Sequence, residues 1–218
     1  MKGSIKSVFI FLALMAFSAA GFAADGSSFK PPAGSKVAVV VFEDLECPTC
    51  ARDYPIVWNV ANAHHIPVVL HDFPLRNHPW SFEAAVYARF FDTRSLDLGN
   101  KFRGYIYQNQ PQITPDNLRQ WTQKFADDNK VPLPFAVDPQ GKLKEKIQAD
   151  YQLGLQISIQ HTPTIFVIGD AGPATPYVEV DDPTQLTQIV EDMQKKADAA
   201  TPPAKHVVAK SRKKKKAS

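Results

Sequence analysis

The feature that most constrains this chain is a pair of cysteines, Cys47 and Cys50, which lies where an apolar run gives way to a helical pattern. They are the only two cysteines in the 218 residues. Residues 37–42 before them are rich in valine and show no polar alternation, which predicts a fully buried strand. Pro48 suits the first position of a helix, where an N–H would be unpaired anyway. Residues three apart on a helix share a face, so the two sulfurs can meet.

A Cys-x-x-Cys pair beside a strand and a helix is typical of thiol redox chemistry, although the same spacing also occurs in metal sites. The metal alternative is a carrier that binds its ion through Cys47 and Cys50. Two cysteines supply only half of a tetrahedral zinc site, and the sequence has no His-x3-His pair or second Cys-x-x-Cys pair to complete it. We therefore expect no metal and no cofactor. A third interpretation, a purely structural disulfide, stays open at this point.

The N-terminal residues are typical of an export signal. Lys2 and Lys6 precede an apolar stretch at residues 8–17, and small residues follow up to Ala23. This pattern predicts a signal peptide over residues 1–23 that is cleaved after Ala23, and hence a periplasmic or otherwise exported protein. An uncleaved anchor is the alternative, since the apolar stretch is nearly long enough to span a bilayer. Export would place the cysteine pair in an oxidising compartment.

The net positive charge of the chain comes from its two ends. Without the nine basic residues of the leader and the tail, 16 lysines and arginines face 22 acidic residues, a net charge of −6 for residues 25–200. Residues 24–35 are rich in glycine, serine and proline and predict an irregular lead-in. Residues 198–218 predict a disordered, lysine-rich tail. Its lysine run at 213–216 suits contact with an anionic surface, or it is simply a solvated end.

Between these ends the chain predicts one α/β domain over residues 36–197. After the cysteine helix, in which Pro55 predicts a kink, the expected strands and helices follow in a clear order. They are a strand at 67–73, helices at 80–93, 96–109, 115–129 and 141–156, strands at 164–168 and 177–180, and a helix that opens at 181–184. The order strand, helix, strand, helical block, strand, strand, helix is that of a thioredoxin fold with a helical insertion, at about residues 80–158.

Four segments resemble the DsbA-like branch of thiol–disulfide oxidoreductases, in the thioredoxin superfamily. They are Phe42-Glu43-Asp44-Leu45-Glu46-Cys47-Pro48-Thr49-Cys50, the helix proline Pro55, Asp72-Phe73-Pro74-Leu75 with His78 and Ala84-Ala85, and His161-Thr162-Pro163-Thr164. The resemblance covers about residues 36–195. It implies a monomeric enzyme that exchanges disulfides with cysteine-containing exported proteins and is recycled by a redox partner protein. An oxidase is favoured because the chain has no room for an isomerase's dimerisation domain; a reductase or an isomerase is the alternative.

The two cysteines have different expected roles. Cys47 would sit at the N-cap of the helix, where free N–H groups and the helix dipole favour a thiolate. It is therefore the expected attacking thiol and the more exposed one, and Cys50 is the expected resolving thiol. Pro48 and Thr49 between them, and His161 near them, are candidates for tuning the pKa and the redox potential. The alternative for His161 is a solvent-facing side chain without redox effect.

The proline loop is the expected substrate platform. The resemblance implies that Pro163 is cis and packs against the cysteine pair. It also implies that the backbone of Thr162 pairs with an extended substrate segment, a mode of recognition that tolerates many sequences.

One departure from the family pattern concerns proton transfer. Many relatives carry a buried acid six residues before the first cysteine, and Val41 occupies that position here. Glu43, Asp44 and Glu46 are near it in sequence, but strand parity does not decide which of them points inward. The group that takes the proton from Cys50 therefore stays unassigned.

Overall fold

The structure is a computed structural model that describes residues 30–170 and 176–200. The predicted leader, the first residues of the lead-in and the tail beyond residue 200 lie outside this part. So do residues 171–175. Within the described residues, no helix is both long enough and apolar enough to cross a bilayer.

The helices and strands follow the predicted order and confirm the α/β thioredoxin fold with its helical insertion. They are β1 (Val37–Glu43), α1 (Pro48–Ala63), β2 (Val68–Asp72), α2 (Ser81–Asp92), α3 (Leu96–Asn109), α4 (Leu118–Asp128), α5 (Lys142–Gln156), β3 (Thr164–Gly169), β4 (Tyr177–Glu179) and α6 (Leu186–Ala200). Short 3-10 turns at Gln110–Gln112 and Pro183–Gln185 follow α3 and precede α6.

The sheet topology places the end of β1 beside the start of β3. The strand order is β2-β1-β3-β4, with β2 parallel to β1 and β3 antiparallel to it. Because β3 runs the opposite way, its first residue, Thr164, pairs with Phe42 near the last residue of β1. The chain before β3 and the chain after β1 therefore meet at one edge of the sheet.

Alternate residues of β1 enter two different cores, because successive side chains of a strand point to opposite faces. Val37, Val39 and Val41 pack with the apolar sides of α1 and α6. Ala38, Val40 and Phe42 pack with aliphatic and aromatic side chains of α5, β3 and the loop after β2. Every residue of β1 is buried, as predicted from its lack of polar alternation.

The inserted helices α2 to α5 form a third core. It contains Phe91, Phe102 and Phe125, whose rings lie 4.8 to 5.2 Å apart by their centroids. Cys47 and Cys50 belong to the same apolar cluster. The cysteine pair therefore lies between the sheet and the insertion.

Two predicted boundaries were wrong. Helix α4 begins at Leu118 and not at residue 115. The side chain of Asn117 accepts a hydrogen bond at Oδ1 from the Thr114 N–H at 2.8 Å and donates one from Nδ2 to the Gln112 carbonyl at 2.9 Å. This stretch therefore forms a turn before the helix. Helix α6 continues to Ala200, three residues beyond the predicted end of the domain.

Candidate active site

The cysteine pair occupies the junction of β1 and α1. Cys47 is the N-cap of α1, with an extended backbone (φ −78°, ψ 120°), and Pro48 follows at the first helical position. Both cysteines are free thiols and both are buried, with Cys47 6% and Cys50 3% exposed. Cys47 is the more exposed of the two, but only slightly. Pro48 is exposed and Thr49 is half-buried.

The loop before β3 lies against Cys47. The Thr162–Pro163 peptide bond is cis, and the Cys47 thiol donates a hydrogen bond to the Thr162 carbonyl oxygen at 3.2 Å. Pro163 lines a small cavity together with Cys50. His161 is exposed, and its carbonyl accepts a hydrogen bond from the Thr164 hydroxyl at 2.7 Å. The structure therefore brings Thr162 and Pro163 to the cysteines and leaves the His161 side chain at the surface.

The pKa of Cys47 is lowered to about 5. The largest cause is the Cys50 thiol, which donates a hydrogen bond to the Cys47 thiolate; burial opposes it, and the Thr162 side chain lowers the pKa further. The backbone N–H groups of Cys50 and Thr49 add to the effect, as expected at a helix N-terminus. In the thiol form the Thr162 hydroxyl is buried without a partner among the described residues. It is thus free to donate once Cys47 ionises.

The pKa of Cys50 shifts the opposite way, well above its ordinary value. Burial is the largest cause, and the hydrogen bond to Cys47, the Cys47 charge and the Glu43 charge also raise it. At neutral pH one sulfur is therefore a thiolate and the other holds its proton.

Removing the Thr162 hydroxyl tests this description of Cys47. The substitution Thr162→Val keeps the size of the side chain but removes a donor to the thiolate, a bond worth about 1.5–3 kcal/mol to a charged group. We expect the pKa of Cys47 to rise by about 1 to 2 units. The pH dependence of alkylation by iodoacetamide measures it. In the control Thr122→Val, which loses a buried hydroxyl bonded to the Leu118 carbonyl within α4, the pKa should not change. An unchanged Cys47 pKa in the Thr162 variant would contradict the assignment.

The loop between β1 and α1 is held by its own acidic residues. The Asp44 carboxylate accepts hydrogen bonds from the backbone N–H groups of Glu46 and Leu75 and contacts His78 Nδ1, each at 2.7 Å. These bonds explain why a carboxylate that is 1% exposed is tolerated there. They also fix the loop after β2 against the cysteine loop.

Two further hydrogen-bond sets join the cysteine loop to the insertion. Glu46 Oε2 accepts from the N–H groups of Trp80 and Ser81, at 2.8 and 3.1 Å, and so caps α2. Gln110 Nε2 donates to the carbonyl oxygens of Leu45 and Cys47 at 2.9 and 3.1 Å. The position of the N-cap cysteine therefore depends on contacts from the start of α2 and from the residue that follows α3.

A buried charge cluster lies behind the cysteines. Arg103 of α3 is 0% exposed and donates from Nε to Glu43 at 2.8 Å and from both Nη atoms to Asp92 at 2.8 and 3.0 Å. Tyr107 donates from its hydroxyl to the other Glu43 oxygen at 3.0 Å. A Cβ at Gly99 would lie 1.7 Å from Asp92, so only glycine leaves room for this carboxylate.

Sequence reasoning missed this cluster, although a signal was present. Gly99, Arg103 and Tyr107 are spaced four residues apart in α3 and lie on its buried side. An arginine on the apolar face of a helix indicates a buried acidic partner.

A second arginine, Arg89, forms ion pairs with Asp72 and Asp150 and so connects α2 to β2 and α5.

Among the residues that the structure describes, no group of three or more His, Cys, Asp and Glu side chains could hold a metal ion.

Comparison with known proteins identifies the family. A protein-family model described as thioredoxin matches residues 33–192, which is most of the chain. The chain therefore belongs to this thioredoxin family. A comparison with curated protein sequences gave no match.

Solved structures of DsbA-like proteins share this fold. The chain is similar to Wolbachia pipientis alpha-DsbA1 (16% identity, 76% of this chain and 89% of that chain, TM-score 0.63). It is similar to alpha-DsbA2 of the same organism, described as a thiol–disulfide exchange protein (16% identity, 75% and 84%, TM-score 0.56). It is also similar to Proteus mirabilis ScsC (19% identity, 73% and 84%, TM-score 0.57). With the family match, these likenesses confirm the predicted DsbA-like thioredoxin fold.

Proposed function

We propose that this protein is a thiol–disulfide oxidoreductase that exchanges disulfides with cysteine-containing proteins through Cys47 and Cys50. The observation that carries the proposal is the pair of opposite pKa shifts at the helix N-terminus: the pKa of Cys47 is lowered and that of Cys50 is raised. Disulfide exchange requires such a thiolate next to a resolving thiol. The family and the fold support the same class of enzyme.

The proposed reaction joins a substrate disulfide to the two cysteine sulfurs in turn and moves one proton. The Cys47 thiolate attacks one sulfur of a substrate disulfide, the Cys47–substrate bond forms and the other substrate sulfur leaves as a thiolate. Cys50 then loses its proton and attacks the Cys47 sulfur, so that the Cys47–Cys50 disulfide forms and the second substrate thiolate leaves. The substrate is reduced and the protein is oxidised. Run in reverse, the same steps oxidise a dithiol substrate.

The low pKa of Cys47 favours the oxidase direction. A stabilised thiolate stabilises the reduced form of the protein, so its disulfide readily accepts electrons from a substrate dithiol. An oxidase of this kind is regenerated by a redox partner protein and acts on exported substrates, which agrees with the export signal predicted at residues 1–23. Equilibration with a glutathione buffer measures the potential. A value near the cytosolic glutathione poise would contradict the oxidase direction and support a reductase.

Thr162 and Pro163 are the proposed substrate platform. When Cys47 is protonated, its thiol donates a hydrogen bond to the Thr162 carbonyl. When Cys47 is bonded to a substrate sulfur, that hydrogen is gone and the carbonyl can accept a substrate backbone N–H instead. Main-chain pairing of this kind would select an extended segment and not a particular side chain. His161, Pro48 and Thr49 remain proposed tuning residues.

Trapping the intermediate tests the proposed function. A Cys50→Ser variant retains the Cys47 thiolate but lacks the resolving thiol, so its mixed disulfide with a disulfide-containing protein should accumulate. Non-reducing electrophoresis and mass spectrometry would show a reducible adduct at Cys47. The matched Cys47→Ser variant should form none, since Cys50 is protonated and buried. Absence of an adduct in the Cys50 variant would support the structural-disulfide interpretation instead.

A further inference from the structure

The resolving step requires a proton acceptor that the sequence left unassigned. Cys50 is 3% exposed, and burial raises its pKa well above the ordinary value. It must nevertheless lose its proton to attack Cys47 and recover it when the disulfide opens. Val41, at the position where many relatives carry an acid, cannot take part.

Glu43 lies on the same sheet face as Val41, because strand residues two apart share a face. Glu43 is two residues further along the strand than Val41, about 7 Å closer to the cysteines. Glu43, Val41 and Cys50 all line one cavity of about 10 Å³, close to the roughly 10–15 Å³ that one water molecule needs. A single water molecule in this cavity would lie between Cys50 and Glu43 and could relay a proton from one to the other.

The Glu43 carboxylate is held in place by α3. Arg103 Nε and the Tyr107 hydroxyl each bind one of its oxygens, at 2.8 and 3.0 Å. Asp72, its register partner on β2, adds a negative charge beside it. Burial raises the pKa of Glu43 to about 7, although Arg103 opposes the shift. A carboxyl with this pKa can both accept and donate a proton at neutral pH.

The other ionisable groups around the cavity are less suited. Asp53 and Tyr54 come from α1, and Tyr107 comes from α3. Burial raises the pKa of both tyrosines, so neither deprotonates at neutral pH. The Asp53 carboxylate is bound on both oxygens by the Arg52 guanidinium, at 2.7 and 3.2 Å. Glu43, in contrast, shares the Arg103 guanidinium with Asp92.

We propose that Glu43 is the proton-transfer group for Cys50, oriented by Arg103 and Tyr107 of the inserted helix. In the resolving step the Cys50 S–H bond breaks and its proton goes to the Glu43 carboxylate. The Cys50 sulfur electron pair forms the bond to Cys47, the bond between Cys47 and the substrate sulfur breaks, and the substrate leaves as a thiolate. In the reverse step protonated Glu43 returns the proton as Cys50 leaves. This inference rests on the proposed exchange activity.

Rapid-quench kinetics with oxidised glutathione as the probe test the inference. Mass spectrometry follows the Cys47–glutathione adduct as it forms and as Cys50 resolves it. In the wild-type protein the resolving rate should rise with pH through an inflection near 7, the pKa of Glu43. In Glu43→Gln the resolving rate should fall by about 100-fold, the lower end of the usual range of general acid–base effects, and the inflection should disappear. The pKa of Cys47, from its alkylation profile, should stay near 5.

Two more variants separate proton transfer from a structural role. Asp53→Asn changes another acid of the same cavity and should leave the resolving rate and its inflection unchanged. Tyr107→Phe keeps the carboxylate but removes a hydrogen bond that lowers the pKa of Glu43, so the inflection should move to higher pH. An unmoved inflection in Tyr107→Phe, or a wild-type resolving rate in Glu43→Gln, would overturn the inference. If the wild-type protein forms no Cys47 adduct, the proposed function itself fails.

Discussion

Replacing Arg103 by methionine should destabilise the protein by about 3–5 kcal/mol, the usual effect of removing one partner from a buried ion pair. Arg103 is 0% exposed and is the shared counter-ion of Glu43 and Asp92. Without it, the buried Glu43 carboxylate must either stay charged with no counter-ion or take up a proton, and Asp92 keeps the longer contact to Arg89 at 3.6 Å. The loss should therefore be larger at high pH, where protonation of the carboxylates costs more. Urea denaturation of the reduced protein at several pH values measures it.

Lys101 offers a matched control on the same helix. It pairs with Asp97 on the surface, with 62% of its side chain exposed, so Lys101→Met should change the stability by less than about 0.5 kcal/mol. Arg103→Lys keeps the charge but loses most of the donors and should fall between the two. A change of less than about 1 kcal/mol in Arg103→Met would show that the buried cluster is not held by this arginine.

The reduced protein should gain stability from Cys47 as the pH rises. The folded-state pKa of Cys47 is about 5, below the roughly 8.5 of a free thiol. An acidic group with a lowered pKa contributes its full stabilisation above the unfolded pKa and loses it as the pH falls through the folded pKa. The contribution should therefore grow from nothing near pH 5 to about 2–3 kcal/mol near pH 7.

The comparison that isolates this effect is reduced wild type against reduced Cys47→Ser. Glu43, whose raised pKa gives the opposite pH dependence, is present in both proteins and cancels. Denaturation at pH values between about 5 and 8.5 should show the two curves converging at low pH. The oxidised wild-type protein has no Cys47 thiolate and should not show the gain. Parallel curves for the two reduced proteins would contradict a lowered Cys47 pKa.

Local patterns explain which parts of the structure could be predicted. The valine run of β1, the helix that begins at Pro48 and the strand after Pro163 are each specified by residues next to one another in sequence, and all three are where the sequence predicts them. The order of such elements is enough to recognise the fold. The start of α4 was missed because the Asn117 side chain competes with the helix for the backbone groups of the preceding turn.

The electrostatic part of the site could not be predicted in this way. Glu43 and Arg103 are separated by 60 residues, and their pairing depends on how the insertion packs against the sheet. The parity of β1 alone could not show that Glu43 faces inward, because the strand is buried on both faces. Arg103 determines whether Glu43 can be buried there, and a contact between residues so far apart in sequence is known only from the tertiary structure.

The bonds from the cysteine loop to the insertion bear on how such proteins can diverge. Glu46 caps α2 and Gln110 donates a hydrogen bond to the carbonyl of Cys47. The cysteine loop and the inserted helices are therefore held together by hydrogen bonds. A chimaera that receives the insertion of a relative would have to receive the matching cysteine loop as well, or the N-cap of α1 would lose its support. The sequences of the cysteine loop and of the insertion would then be inherited together.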